Sequence, residues 1–87
     1  MFSNGSMTLA DLQTGEQATI LSLRGGHGFI GRMAALGFTP GSTVRMMRNS
    51  GSGPVIVSVL DTQIALGRGQ AAHVQVLAAV SERGAAR

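Results

Sequence analysis

Every apolar stretch of this chain is short, and each is closed by glycine, proline or small polar residues. Gly25-Gly26-His27-Gly28 closes one, Pro40-Gly41 another, and Asn49-Ser50-Gly51-Ser52-Gly53-Pro54 a third. Such residues set turns and break regular elements. The chain must therefore be built from brief segments linked by reversals. Its 87 residues suffice for one domain, which by area scaling buries roughly 60–65% of the surface its open chain exposes. No cysteine is present, so neither a disulfide nor a thiolate-held metal can add stability, and a thin apolar core must suffice.

Thr8-Leu9-Ala10-Asp11-Leu12 reads as a short helical turn, with Thr8 as N-cap, Asp11 reaching back to it, and Leu9 and Leu12 facing inward. Residues 18–23 (ATILSL) read as a strand. Apolar side chains on both of its parities call for cover on two sides or for a bulge. Residues 29–36 have helical spacing, with Phe29, Met33 and Leu36 on one stripe and Arg32 pointing away. Gly37 is placed for the left-handed position after that helix, Phe38 for packing back on it, and Pro40-Gly41 for a turn. Residues 42–48 and 55–60 read as two strands, the first with Val44 and Met46 on one face and Arg45 and Met47 on the other. Further short strands follow at 64–66 and 74–76, separated by a helical or irregular turn over 67–73. The expected fold is mainly β: a small, nearly closed barrel of about five short strands, with one short helix (29–36) and an N-terminal helical turn. The expected domain spans residues 7–78, and the unpatterned ends, 1–6 and 79–87, are expected to be disordered.

Charged residues make up 13% of the chain, about half the usual share, so part of the surface is weakly solvated and open to a partner or to a second copy. The net charge of +3 comes from seven arginines, with no lysine, against four acids. The arginines stand singly, without the polybasic tract that drives nucleic-acid or lipid attachment. No apolar run approaches the roughly 20 residues of a membrane span, and the first residues lack a signal-peptide pattern. A cytoplasmic protein without direct membrane insertion is expected.

Gly26-His27-Gly28-Phe29-Ile30-Gly31 matches G-x-G-x-x-G and follows a predicted strand into a predicted helix. About twenty residues on, where a dinucleotide site needs an acid, stand Arg45, Met46, Met47 and Arg48. The helix is also too short for a parallel crossover. A glycine-rich entry into a helix, with room for an anion at its N-terminus, is the reading that remains. His27 and His73 are the only imidazoles, and no paired-ligand spacing joins them to each other or to an acid. They are weak metal candidates, ferrous iron included, and no cofactor is expected. Catalytic chemistry finds no Cys, Lys or Tyr and no serine placed near both a histidine and an acid, so no enzyme is expected. Stacking platforms for single-stranded nucleic acid are lacking too, with no Trp or Tyr and three Phe, two of which, Phe29 and Phe38, are needed for packing.

One pattern nonetheless stands out. Thr8 to Leu12, Gly15-Glu16, Arg32-Met33-Ala34-Ala35-Leu36-Gly37-Phe38 with Pro40-Gly41, then Gly53-Pro54, Ile64-Ala65-Leu66 and Ala71 with Val74 and Val76 together resemble the ferrous iron transport protein A (FeoA) family. The most specific piece is R-[LM]-x-x-L-G-[LF]-x-P-G. The loop 49–54 keeps only the end of the family's pattern, and Gln70 stands where an acid is common. The resemblance implies an SH3-like barrel that serves as accessory to the membrane transporter FeoB, by contact with its cytoplasmic G domain at the inner membrane face. It brings no secure metal site and no catalytic residue. The surface expected to make the contact is the hairpin of Arg45, Met47, Arg48, Asn49 and Pro54, with Arg32 adding to it, since guanidinium groups beside a methionine suit a mildly acidic partner. A small-barrel nucleic-acid-binding protein is the alternative.

Overall fold

The computed structural model describes residues 7–79. Six antiparallel strands form one sheet, β1 (Met7–Thr8), β2 (Gln17–Leu23), β3 (Thr43–Arg48), β4 (Val55–Val59), β5 (Thr62–Leu66) and β6 (Val74–Ala78), in the order β1-β6-β2-β3-β4-β5. Side chains from both ends of that order share one core: Val55 and Leu66 from β4 and β5 join Val76 from β6 and Leu9 beside β1. The sheet therefore curls on itself, as expected for strands too short to protect an open sheet. Six strands replace the five expected. The sixth is the two-residue β1, where Met7 and Thr8 pair with Val76 and Gln75 just ahead of the 3-10 turn Leu9–Asp11.

Alternation sets the core. Val44 and Met46 in β3, Val55, Val57 and Val59 in β4, and Val74 and Val76 in β6 are buried, whereas Arg45 and Met47 face outward. The double-parity pattern of β2 resolves as a bulge: the register with β6 shifts between Ile20 and Ser22, and Leu21 is turned out. No polar or charged residue is buried among those described. The amide of Ala79 donates to the Gln17 carbonyl at 2.8 Å, which places this first residue of the expected tail beside the sheet. The remainder of the expected disordered ends, 1–6 and 80–87, lies outside the described residues.

The main helix, α1 (His27–Ala35), starts earlier than expected and ends one residue sooner, with Leu36 as its C-cap. Of the stripe Phe29, Met33 and Leu36, only Met33 is buried; Phe29 is half-buried and Leu36 exposed. The chain leaves the helix at Leu36, so helical spacing no longer governs that side chain. Phe38 N–H donates to the Met33 carbonyl (2.9 Å) and Gly37 N–H to that of Ala34 (3.0 Å), with Gly37 at φ +104°, a Schellman ending that carries Phe38 into the core. Ser42 N–H then closes on the Thr39 carbonyl at 2.9 Å around Pro40 and Gly41, the latter at φ +93°. A second helix, α2 (Arg68–Ala71), occupies part of the segment read as helical or irregular. Because β2 and β3, on either side of α1, are antiparallel neighbours, Gly26 to Gly31 does not sit in the parallel crossover unit that a dinucleotide fingerprint requires.

Candidate docking surface

β3 and β4 pair with Val44 opposite Val59, Arg45 opposite Ser58 and Met46 opposite Val57, after which the register slips so that Arg48 stands opposite Ile56. Strict alternation would turn Arg48 toward the core with Val44 and Met46. The extra residue, Met47, reverses the parity, and both Met47 and Arg48 face solvent. A bulge thus keeps a guanidinium out of an all-apolar interior and aims it across the outer face of the sheet. There Ile56 pairs with Ala65 of β5. Arg48, Ser50, Ser52, Pro54, Ile56 and Ala65 line an open groove of about 370 Å³. Its floor is aliphatic, its rim carries hydroxyls, and Arg48 is its one charge.

The loop 49–54 is pinned at both ends. Asn49 Nδ2 donates to the Leu12 carbonyl at 2.7 Å and to the Ala10 carbonyl at 3.1 Å, and its Oδ1 accepts from Gly51 N–H at 3.0 Å. Arg68, from the start of α2, donates through Nη2 to Asn49 Oδ1 (2.7 Å) and through Nε to the Gly53 carbonyl (3.1 Å). The Asn49 amide in turn donates to Thr14 Oγ1 at 2.9 Å. One asparagine so ties the loop to the 3-10 turn, to the segment before β2 and to α2.

Of the residues singled out in the sequence, Arg48 and Pro54 line the groove. Arg45 and Met47 stand on the neighbouring outer surface of β3, and Asn49 points into the fold as a latch. Arg32 lies elsewhere, on α1, where it lines a separate cleft of about 560 Å³ with Gly26, Phe29, Gly69, Gln70 and His73. The His73 ring meets Phe29 edge-on, with centroids 5.8 Å apart. His27 is exposed on the first turn of α1 and does not line that cleft. Among the described residues no three His, Cys, Asp or Glu side chains gather as metal ligands. Sequence reasoning missed Ile56 and Ala65 as groove floor and Arg68 as loop clamp. The floor could have been found from strand pairing, since Ser50 and Ser52 leave a short reach to whatever lies opposite Arg48. Nothing in the sequence marks Arg68.

One curled antiparallel sheet, one core and an outer face furrowed by grooves define a small SH3-like barrel domain. Solved structures share it. The FeoA of Stenotrophomonas maltophilia, a procaryotic SH3 domain protein crystallised with zinc, is 33% identical, with a TM-score of 0.73 over 80% of this chain and 88% of that one. An iron uptake regulatory protein (FeoA) is 28% identical, with a TM-score of 0.80 over 85% of this chain and 99% of the other. A manganese-dependent transcriptional repressor, 16% identical, shares the fold alone, with a TM-score of 0.77 over 91% of this chain and 45% of its own. In sequence, the Fe(2+) transport protein A named in Methanocaldococcus jannaschii is 35% identical over 68 residues, 78% of this chain and 82% of that protein. The FeoA domain profile matches residues 7–78. The chain belongs to the FeoA family, whose members are accessory domains of ferrous iron transport.

Proposed function

We propose that this domain is a non-enzymatic accessory of ferrous iron uptake that acts by docking, through the Arg48 groove, on the cytoplasmic G domain of a FeoB-type transporter. It then works in the cytoplasm, at the inner face of the membrane through its partner. No helix of the described residues is long and apolar enough to cross a membrane. The observation that carries the reading is the bulge at Met47. It brings Arg48 to a groove that it lines together with Pro54, Ile56, Ala65 and two serines, a surface suited to a short partner segment that combines a carboxylate with an apolar side chain. Arg45 and Met47 extend the contact along β3. Iron enters this reading as the cargo of the partner.

The test is binding of the full chain to the purified cytoplasmic domain of the transporter, by calorimetry, before and after Arg45→Glu with Arg48→Glu. Both side chains are exposed, so the double variant should melt within about 1 °C of wild type while losing at least tenfold in affinity, since like charges set against an acidic surface repel. Unchanged affinity would remove this face from the contact. The absence of any binding by the wild-type chain would remove the partner itself.

A further inference from the structure

The cleft between α1 and α2 takes no part in docking through Arg48. Its volume, about 560 Å³, lies within the span usual for small-molecule sites, about 300–1,000 Å³, and it shares no residue with the Arg48 groove. Its walls are fastened through the backbone. Arg24 N–H, just after β2, donates to the His73 carbonyl at 2.9 Å, and His73 N–H donates to the Gln70 carbonyl at 3.0 Å. The Phe29 ring is set by two neighbours: the His73 ring, which it meets edge-on, and the chain at Gly25, where a Cβ would fall 2.9 Å from Phe29 Cδ2. The cleft is thus formed before any ligand arrives.

The polar groups that line it are of one kind. Arg32 brings a permanent positive charge. Gln70 already uses its Oε1 to accept from Gly67 N–H at 3.2 Å, so what it offers a ligand is the pair of donors on Nε2. His73 carries a ring N–H in either tautomer. No aspartate or glutamate of the described residues lines the cleft. A cation accompanied by donors and no carboxylate selects an oxyanion, and a guanidinium fork suits a carboxylate or a phosphate. Beside these groups the Phe29 ring calls for an apolar part in the same molecule.

Space is kept in the same place. Gly26, ahead of α1, and Gly69, inside α2, both line the cleft, and neither has a positive φ. A Cβ at either would meet no atom within 4 Å. Neither backbone geometry nor packing therefore asks for glycine at these two positions, and inside a helix glycine is unfavourable. What the missing side chains accomplish is an open cleft.

We propose that the cleft between α1 and α2 is a binding site for a small organic anion, a carboxylate or phosphate carried on an apolar ring, with Arg32 holding the oxyanion, Gln70 and His73 donating to it, and the ring resting against Phe29. Benzoate and phenyl phosphate are the probes, titrated into the isotope-labelled full chain and followed by amide NMR shifts. At least one of them should shift the amides of Phe29, Arg32, Gln70 and His73 saturably at millimolar concentration, as fits ligands of about ten non-hydrogen atoms. Saturation by one and not the other fixes which oxyanion the site takes. Benzamide keeps the ring without the charge, inorganic phosphate keeps the charge without the ring, and each should bind at least tenfold more weakly. Arg32 is exposed, so Arg32→Gln should melt like wild type while binding the anion at least tenfold more weakly. Gly69→Leu should fill the cleft and lose binding, and it should melt no lower than wild type, because leucine is the better helix former. The proposal is overturned if neither anion saturates, or if inorganic phosphate or benzamide binds as tightly as the ring-bearing anions. Unchanged binding by Arg32→Gln or by Gly69→Leu would overturn it equally.

Discussion

Replacing Asn49 by alanine removes four side-chain hydrogen bonds at once: two to the carbonyls of Ala10 and Leu12, one from Gly51 N–H and one from Arg68 Nη2. Their environments differ. The Gly51 amide is exposed and regains water at little cost, whereas the two carbonyls and the guanidinium contact are part-buried. At about 0.5–1.5 kcal/mol for each of the three part-buried bonds, the loss comes to roughly 2–4 kcal/mol. Against a total of about 0.05–0.15 kcal/mol per residue, that is a large share of what holds so small a domain together. A domain of this size loses about 4–8 °C for each kcal/mol, so the midpoint of thermal unfolding should fall by about 8–32 °C. Arg68→Ala should cost less, about 1–2 kcal/mol, because it leaves the two carbonyl bonds in place. The double variant should cost less than the sum of the single ones, since Asn49 and Arg68 share a bond. Urea denaturation of the four proteins gives all these quantities. An Asn49→Ala variant within about 0.5 kcal/mol of wild type would show that the latch does not hold the fold. It would return Asn49 to the role of a surface contact.

Two further outcomes follow from single positions. Gly37→Ala forces a Cβ onto a residue at φ +104° and against the tip of Leu60; the leucine can swing away but the backbone cannot, so we expect a loss of about 1–2 kcal/mol in urea denaturation, nearly the same when Leu60 is also glycine. Ferrous iron titrated anaerobically into the full chain should give no binding heat beyond dilution, because His27 and His73 are not gathered with acids into a ligand set among the described residues; a saturable heat lost in His73→Ala would place a metal in the α1–α2 cleft.

The fold was largely legible because it depends on rules of short range. Valines at alternate positions of 55–59, Gly37 after a short helix, and Pro40-Gly41 before a strand each specify their own local geometry, and the structure repeats them. The two-residue β1 was not legible, since Met7 and Thr8 are extended only because β6, almost seventy residues away, offers partners. Leu36 was misread for a related reason: helical spacing puts it on the core stripe, but the Schellman turn has already begun there. At the candidate site the arginines could be read as exposed, whereas the bulge that exposes Arg48 depends on the facing strand. Asn49 shows the same limit. In sequence it is one polar residue in a glycine-serine loop, and only the approach of the 3-10 turn and α2 makes it a latch.

That the proposed contact lies on the outer face of the sheet and the loop beside it follows from how little interior this chain has. Every inward position described is apolar and none is polar, so any side chain that recognises a partner has to stand on the outer face or at a strand end. Strand β4 shows the arrangement. Its valines at 55, 57 and 59 are committed to the core, while Pro54 borders the groove at one end and Leu60 forms the hairpin tip at the other. Six residue steps from Pro54 to Leu60, at about 3.3 Å each, hold these ends roughly 20 Å apart. The loop at one end is fastened through Asn49, while the turn at the other rests on Gly37. A substitution among the valines would act on both surfaces through the core they share. A substitution at either end reports on that end alone, which is what allows the groove's part in docking to be tested without disturbing the hairpin tip.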